Sequence, residues 1–338
     1  MSDPHPARTI TAVINPERVG IESARLRSPL NLEIENFFMM QGIAKKTCDV
    51  LSMISSFHSV LVEVADFESG ISDFARLLGQ KPGPIETERV GEVRSVFFPL
   101  SNMLLEIREA SATNEDRSPG LKAIRLACDD VEQIAARFEE GIPTLLPSEN
   151  RKAAVGAEGE TSLRTWVSTY VDPAASRGLP VELVSDEVGS PASLSGNSPD
   201  PASGSGLDPQ SLIRGLDHVV VMSADIEATR DFYGDGLGIR LALDRSFEKR
   251  GVRLIFFRIA GVTIEIGGRL GVERDPQGQD RFGGLAWQVV DIDAIHSRLS
   301  ADGFDVSGIR DGNKAGTRVC TVREPVHNVP TLLIEPVS

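Results

Sequence analysis

The chain has 338 residues, 41% of them hydrophobic and 25% charged, an ordinary composition for a soluble globular protein long enough for two domains. Its net charge of −14, with no basic patch, argues against nucleic acid or an anionic membrane as partner. No apolar run approaches the ~20 residues of a membrane helix, and the start MSDPHPARTI lacks the apolar core of a secretory signal. Cys48, Cys128 and Cys320 are scattered and odd in number, so they read as reduced thiols in a cytoplasmic protein.

Residues 1–52 show no clear periodicity; LNLEIENFFMMQGIAKK fits a helix or a strand. This extension precedes Met53, which could serve as a later start. From residue 57 the pattern is regular. FHSVLVEV is short, apolar and β-branched, hence a strand. Asp66 is placed to cap a helix whose apolar face is Phe67, Ile71, Phe74 and Leu78, and Gly79 suits its end. VRSVFFPL and NMLLEIRE follow as strands joined by a turn at Ser101-Asn102.

The same order recurs at 215–266, at a constant offset of 159 residues. Asp66 meets Asp225, Gly79 meets Gly238, Arg94 meets Arg253, Phe97-Phe98 meets Phe256-Phe257, and Glu106 meets Glu265. Two shorter copies begin at Ala123 and Gly284. The first has an Asp130 cap and a face of Val131, Ile134 and Phe138 before Gly141. The second has an Asp291 cap and a face of Ile292, Ile295 and Leu299 before Gly303. They close on LPVELV with Glu182 and TLLIEPV with Glu335. Between the pairs, 13 of the 20 residues 190–209 are Ser, Gly or Pro, the composition of a flexible linker. The chain thus divides into an extension (1–52), a first domain (53–188), a linker (189–212) and a second domain (213–338).

A β-α-β-β-β module that opens with Leu216-Asp217-His218-Val219 and closes on the strand Ile264-Glu265-Ile266 resembles the vicinal oxygen chelate superfamily. That superfamily includes glyoxalase I, extradiol dioxygenases, methylmalonyl-CoA epimerase and bleomycin-resistance proteins. The resemblance covers residues 55–338. It implies an α+β fold of four βαβββ modules in two glyoxalase-like domains with cupped mixed sheets. It also implies metal ligands on the first and last strand of each module, facing the cup. Carried over, these are His218, Glu265 and Glu335, with Gly284 in the fourth place, and a weaker set of His58, Glu106 and Glu182. Imidazole with carboxylates suits a divalent Zn, Ni, Co, Mn or Fe(II).

His218 precedes its cap by 7 residues but His58 precedes Asp66 by 8, so His58 reaches the cup only if a bulge absorbs the extra residue; otherwise Ser59 faces inward. The glutamates lie inside apolar strands and need compensation. Arg94 and Arg253 are the alternative partners of Glu106 and Glu265. Arg253, Gln288 and Trp287 are candidate substrate contacts, although Trp287, Phe256 and Phe257 also fit as core. His327, on the loop before the last strand, and Glu335 are candidate proton carriers, although His327 also fits a solvated loop. His296 reads as surface, GDGLG lacks the context of a phosphate loop, and ERDPQGQDR (273–281) reads as a solvated connection.

The resemblance implies a metal-dependent lyase, isomerase or epimerase acting on a small oxygenated substrate through an enolate-like intermediate. The alternatives are a ring-cleaving dioxygenase and a metal-free binding protein of the bleomycin-resistance kind. A homodimer is compatible with it, because modules of the superfamily pair across domains or chains.

Overall fold

Each helix begins where an aspartate ends a β-branched strand. In the computed structural model, the residues described are 54–87, 93–110, 118–129, 131, 134, 149–155, 162–186, 212–273 and 275–336. The extension, the Ser/Gly/Pro-rich segment, Met53, Cys48, and Asp130 with Phe138 and Gly141 lie outside them. The described residues fall within one compact unit.

The first sheet is built from β1 (Ile54–Val64), β2 (Glu86–Thr87), β3 (Arg94–Pro99), β4 (Leu104–Glu109), β5 (Gly120–Cys128), β6 (Glu149–Val155), β7 (Ser162–Tyr170) and β8 (Val181–Asp186). Its order is β2-β3-β4-β1-β5-β8-β7-β6. The second uses β9 (Ile213–Met222), β10 (Arg240–Phe247), β11 (Val252–Ile259), β12 (Val262–Arg269), β13 (Arg281–Val289), β14 (Asp305–Val306), β15 (Arg310–Asp311), β16 (Thr317–Glu324) and β17 (Thr331–Pro336). Its order, β10-β11-β12-β9-β13-β17-β16-β14 with β15 on β16, repeats the first. Both are mixed sheets of an α+β fold: β1 runs parallel to β4 and β9 to β12, while β1–β5 and β9–β13 are antiparallel.

Helix α1 (Phe67–Leu78) is capped by Asp66, which accepts from Ser69 N at 2.7 Å, and ends at Gly79 in the left-handed region. Helix α2 (Ile226–Asp231) is capped by Asp225 and runs into a π-turn, Phe232–Gly236. Helix α3 (Ile292–Ala301) is capped by Asp291 and buries Ile292, Ile295 and Leu299.

Period two decides the rest. Val60, Val62 and Val64 on β1, like Val219 and Val221 on β9, face the helices; one apolar core joins these faces of both sheets. The opposite face of each sheet, its cup face, carries Glu106 or Glu265. The domains are also latched by polar contacts. Asn102 gives and receives hydrogen bonds at the Leu216 backbone, at 2.7 and 3.0 Å. Arg298 donates to the carbonyls of Arg76 and Leu77 at the end of α1. Arg177 reaches the Asp275 and Gly278 carbonyls, and Asp280, buried and 3.5 Å from its Nε, accepts from Ala224 N and Thr229 Oγ1. The 273–281 stretch is therefore part of the interdomain latch, not merely a solvated connection.

Gly284 has no room for a ligand side chain. Its φ is +139°, and an added Cβ would lie 2.3 Å from the Pro330 carbonyl oxygen, so its departure from histidine has a steric cause. Gly284→Ala is expected to cost at least about 1–3 kcal/mol, read as a lower urea midpoint; an unchanged midpoint would contradict the close packing of β13 on β17.

Candidate functional site

The first strands of both domains carry the same β-bulge. On β1, Phe57 pairs with Leu126 and Ser59 with Arg125, leaving His58 as the extra residue. On β9, Leu216 pairs with Trp287 and His218 with Ala286, leaving Asp217 extra. Ser59 is thus the counterpart of His218, and His58 that of Asp217. The bulge brings both residues of each pair to the cup face, which resolves the one-residue difference in spacing.

In the first domain the cup is filled. Arg125 is fully buried, and Glu106 and Glu182 are each 1% exposed. Arg125 donates from Nη1 to Glu106 Oε2 at 2.5 Å, from Nε to Glu182 Oε2 at 2.7 Å, and from Nη1 to Ser59 Oγ at 3.3 Å. Arg108 adds a second cation on Glu106 at 2.7 Å, and Ser168 Oγ donates to Glu182 at 2.5 Å. Burial opposes the charge of Arg125, but the two carboxylates outweigh it and raise its pKa further. His58 bonds Ser59 Oγ at 3.0 Å and packs 4.9 Å from the Trp166 ring. Trp166 closes the cup with Phe97, Leu104 and Val184. The expected second ligand set is brought together around a guanidinium: Arg125, a lone charge in the apolar run AIRLAC, occupies its centre.

In the second domain the position of Arg125 is Ala286 and that of Glu182 is Leu332, from the equivalent pairings Arg125–Glu182 and Ala286–Leu332. The cup face stays open, lined by partly exposed Val220, Leu254, Phe256, Leu332 and Ile334. Asp217 Oδ1 lies 2.8 Å from His218 Nδ1, and Gln288 Nε2 donates to Asp217 Oδ2 at 3.2 Å. For Asp217, burial opposes ionisation, but hydrogen bonds from His218 and Gln288 and the charge of Arg258 outweigh it and lower its pKa. An ionised Asp217 can only accept, so Nδ1 donates to it and Nε2 is the ring nitrogen turned towards the cup. Nε2 faces Glu265 Oε2 at 3.7 Å. Burial pushes the Glu265 carboxyl above the usual range, opposed by His218 and reinforced by Asp217.

Other sequence candidates are placed elsewhere. Glu335 shares the helix face with Leu333, accepts from Ile292 N at 3.3 Å and lies 3.4 Å from Arg318. Period two excludes it from the cup: Leu332 and Ile334 face inward, so Glu335 faces out, at the start of α3. Trp287 is fully buried in the core. Arg253 pairs with Asp244 and Glu227, and Arg94 with Glu109 and Glu68, so neither neutralises the cup glutamates. His327 lies between the domains, 3.0 Å from Asp73 and stacked on Phe74. His296 contacts the Ser307 carbonyl. Cys128 and Cys320 are buried, with Cys128 Sγ 3.5 Å from the Val184 carbonyl oxygen, and burial pushes the Cys320 thiol up to about 11. A cleft of about 370 Å³ lined by Arg230, Gly234, Ile239, Leu241 and Phe257 holds none of the cup residues. Among the described residues no helix is long and apolar enough to cross a membrane.

Residues 215–329 match the family profile of the Glyoxalase/Bleomycin resistance protein/Dioxygenase superfamily. The match lies within the second domain. Comparison with curated proteins gave no match. Among solved structures, a mutant of 4-hydroxymandelate synthase from Streptomyces coelicolor is similar over 83% of this chain and 92% of its own, at 17% identity and TM-score 0.53. A halotolerant catechol dioxygenase is similar over 84% and 87%, at 13% identity and TM-score 0.53. Methylmalonyl-CoA epimerase from Mycobacterium tuberculosis aligns over 39% of this chain and 94% of its own, at 25% identity and TM-score 0.34. The two longer matches share the two-domain fold.

The donor set does not fit the metal expected from the superfamily. A catalytic metal commonly takes three protein ligands, and here His218 and Glu265 face Ala286 and Leu332. Among the described residues no group of three His, Cys, Asp or Glu is placed to hold one.

Two stability outcomes follow. Arg125→Met leaves two carboxylates buried without their shared cation, and should cost about 3–5 kcal/mol at pH 7. The loss should shrink at pH 5, where protonation lowers the cost of burial, and also when Glu106→Gln and Glu182→Gln are added; an undiminished urea midpoint in Arg125→Met would contradict the pairing. For Glu265, the raised pKa means that the folded state holds the proton more tightly than the unfolded chain. Wild type therefore loses stability as pH rises through the Glu265 titration. Glu265→Gln should gain on it there and match it below the ordinary glutamate range; parallel pH profiles would contradict this.

Proposed function

We propose that the second domain catalyses proton transfer at a carbon next to a carbonyl, an isomerase- or epimerase-type reaction on a small oxygenated substrate. The observation that carries this is the His218–Glu265 pair, set by Asp217 on an open, apolar-lined cup face. His218 Nε2 takes the C–H proton, and Asp217 stabilises the imidazolium that forms. Glu265, whose carboxyl burial raises above the usual range, is placed to give a proton to the carbonyl oxygen, which makes the intermediate a neutral enol. Reversal of the two transfers on the other face or at a neighbouring carbon completes the reaction without redox change. The metal-dependent form of this chemistry and the dioxygenase alternative draw no support from the two-donor set. The first domain, with its cup filled, acts as scaffold.

The test is hydrogen–deuterium exchange. The chelator-treated protein is incubated in deuterium oxide with a panel of small 2-oxo and 3-oxo acids and followed by NMR. Exchange at the carbon next to the carbonyl is expected for at least one compound, reduced about 10²-fold or more by His218→Ala and by Glu265→Gln. Exchange that vanishes with the chelator and returns with one added metal would contradict the metal-free reading. Binding without exchange would favour a sequestering protein.

A further inference from the structure

One row of side chains crosses the cup face of the second sheet: Arg240 on β10, Arg258 on β11, Thr263 on β12, His218 on β9, Ala286 on β13 and Leu332 on β17, each the register partner of the next. Arg258 Nη1 donates to Thr263 Oγ1 at 2.7 Å, which turns the guanidinium along the row towards His218. Arg240 and Arg258 are both exposed, and among the described residues neither forms a direct ion pair with a carboxylate, although the charge of Arg258 is felt at Asp217. Two like charges directly opposite on adjacent strands repel, and this chain carries a net charge of −14 that offers many acidic neighbours. The filled first cup has no such row. At the 159-residue offset, Arg258, Thr263 and His218 correspond to Pro99, Leu104 and Ser59. The paired cations accompany the open cup.

We propose that the substrate carries a compact oxyanion, a carboxylate or a phosphate, seated across Arg240 and Arg258, with the reacting carbon extending along the row to His218. Guanidinium forks match the paired oxygens of either group. Only β12 separates β11 from β9, so the two strand axes lie roughly 10 Å apart; after the reach of the Arg258 side chain, a short chain of a few carbons spans the remainder. This inference takes the placement of the reacting carbon from the proton-transfer reading, whereas the oxyanion seat stands on the arginine row.

Isothermal titration calorimetry of the full chain in low-salt buffer, with malonate and separately with inorganic phosphate, tests the seat. At least one should bind with a millimolar or tighter Kd. Arg240→Met and Arg258→Met should each weaken it about fivefold or more, the loss expected for one exposed charge-assisted contact. Arg310→Met, a change of equal charge on β15, should leave it unchanged. Malonate alone binding identifies a carboxylate seat, and phosphate alone a phosphate seat. No binding of either, no effect of the two row variants, or an equal loss in Arg310→Met would overturn the proposal. Glu265→Gln should keep anion binding while losing exchange, so a failure of the proton-transfer reading and a failure of the oxyanion seat give different results.

Discussion

A carboxylate on the cup face of a β-sheet must be compensated, and the two domains of this chain meet that constraint in opposite ways. In the first, Glu106 and Glu182 close on Arg125 and the cup is filled. In the second, Ala286 replaces the arginine, Leu332 replaces one glutamate, and Glu265 is left facing His218. Burial penalises the charge of Glu265 and raises its pKa above the usual range, with His218 opposing the shift. The compensation that fills one cup is absent from the other, where the proposed site lies.

The bulge in β1 and β9 is the second requirement. Without it, adjacent residues on a strand would face opposite sides, and Asp217 could not sit in the same cup as His218. With it, a carboxylate orients the imidazole from one side and leaves Nε2 towards the cup. The first domain keeps the bulge but places His58 and Ser59 there, against Trp166 and Arg125. The two sheets therefore share the backbone device while their side chains differ, packed in the first cup and open in the second.

Much of this was legible in the sequence. The 159-residue repeat, the aspartate caps and the strand runs follow from periodicity and local chemistry, and His218 with Glu265 stood out because a charged group inside an apolar strand requires a partner. Glu335 matches Glu182 in residue type but not in position, which Leu332 occupies. Its parity on β17 depends on pairing with β13, which sequence spacing does not reveal. Arg125 carried a signal, a single charge within AIRLAC, but its meaning needed the knowledge that β4, β5 and β8 converge. The roles of Arg94 and Arg253 were likewise set by α1 and α2 packing over one face. Asp217 was visible beside His218, yet only the bulge makes neighbours in sequence neighbours in the cup.

The central claim is that Asp217 and Glu265 hold His218 between them in one tautomer, with the Glu265 carboxyl raised above the usual range by burial. NMR titration of the His218 ring nitrogens and the Glu265 carboxyl carbon tests it directly. The account requires a proton on Nδ1 across the pH range and a Glu265 carboxyl that titrates above an ordinary glutamate, its resonance sensitive to the charge on His218. A neutral His218 protonated at Nε2, or a Glu265 that titrates at or below the ordinary range, would contradict it.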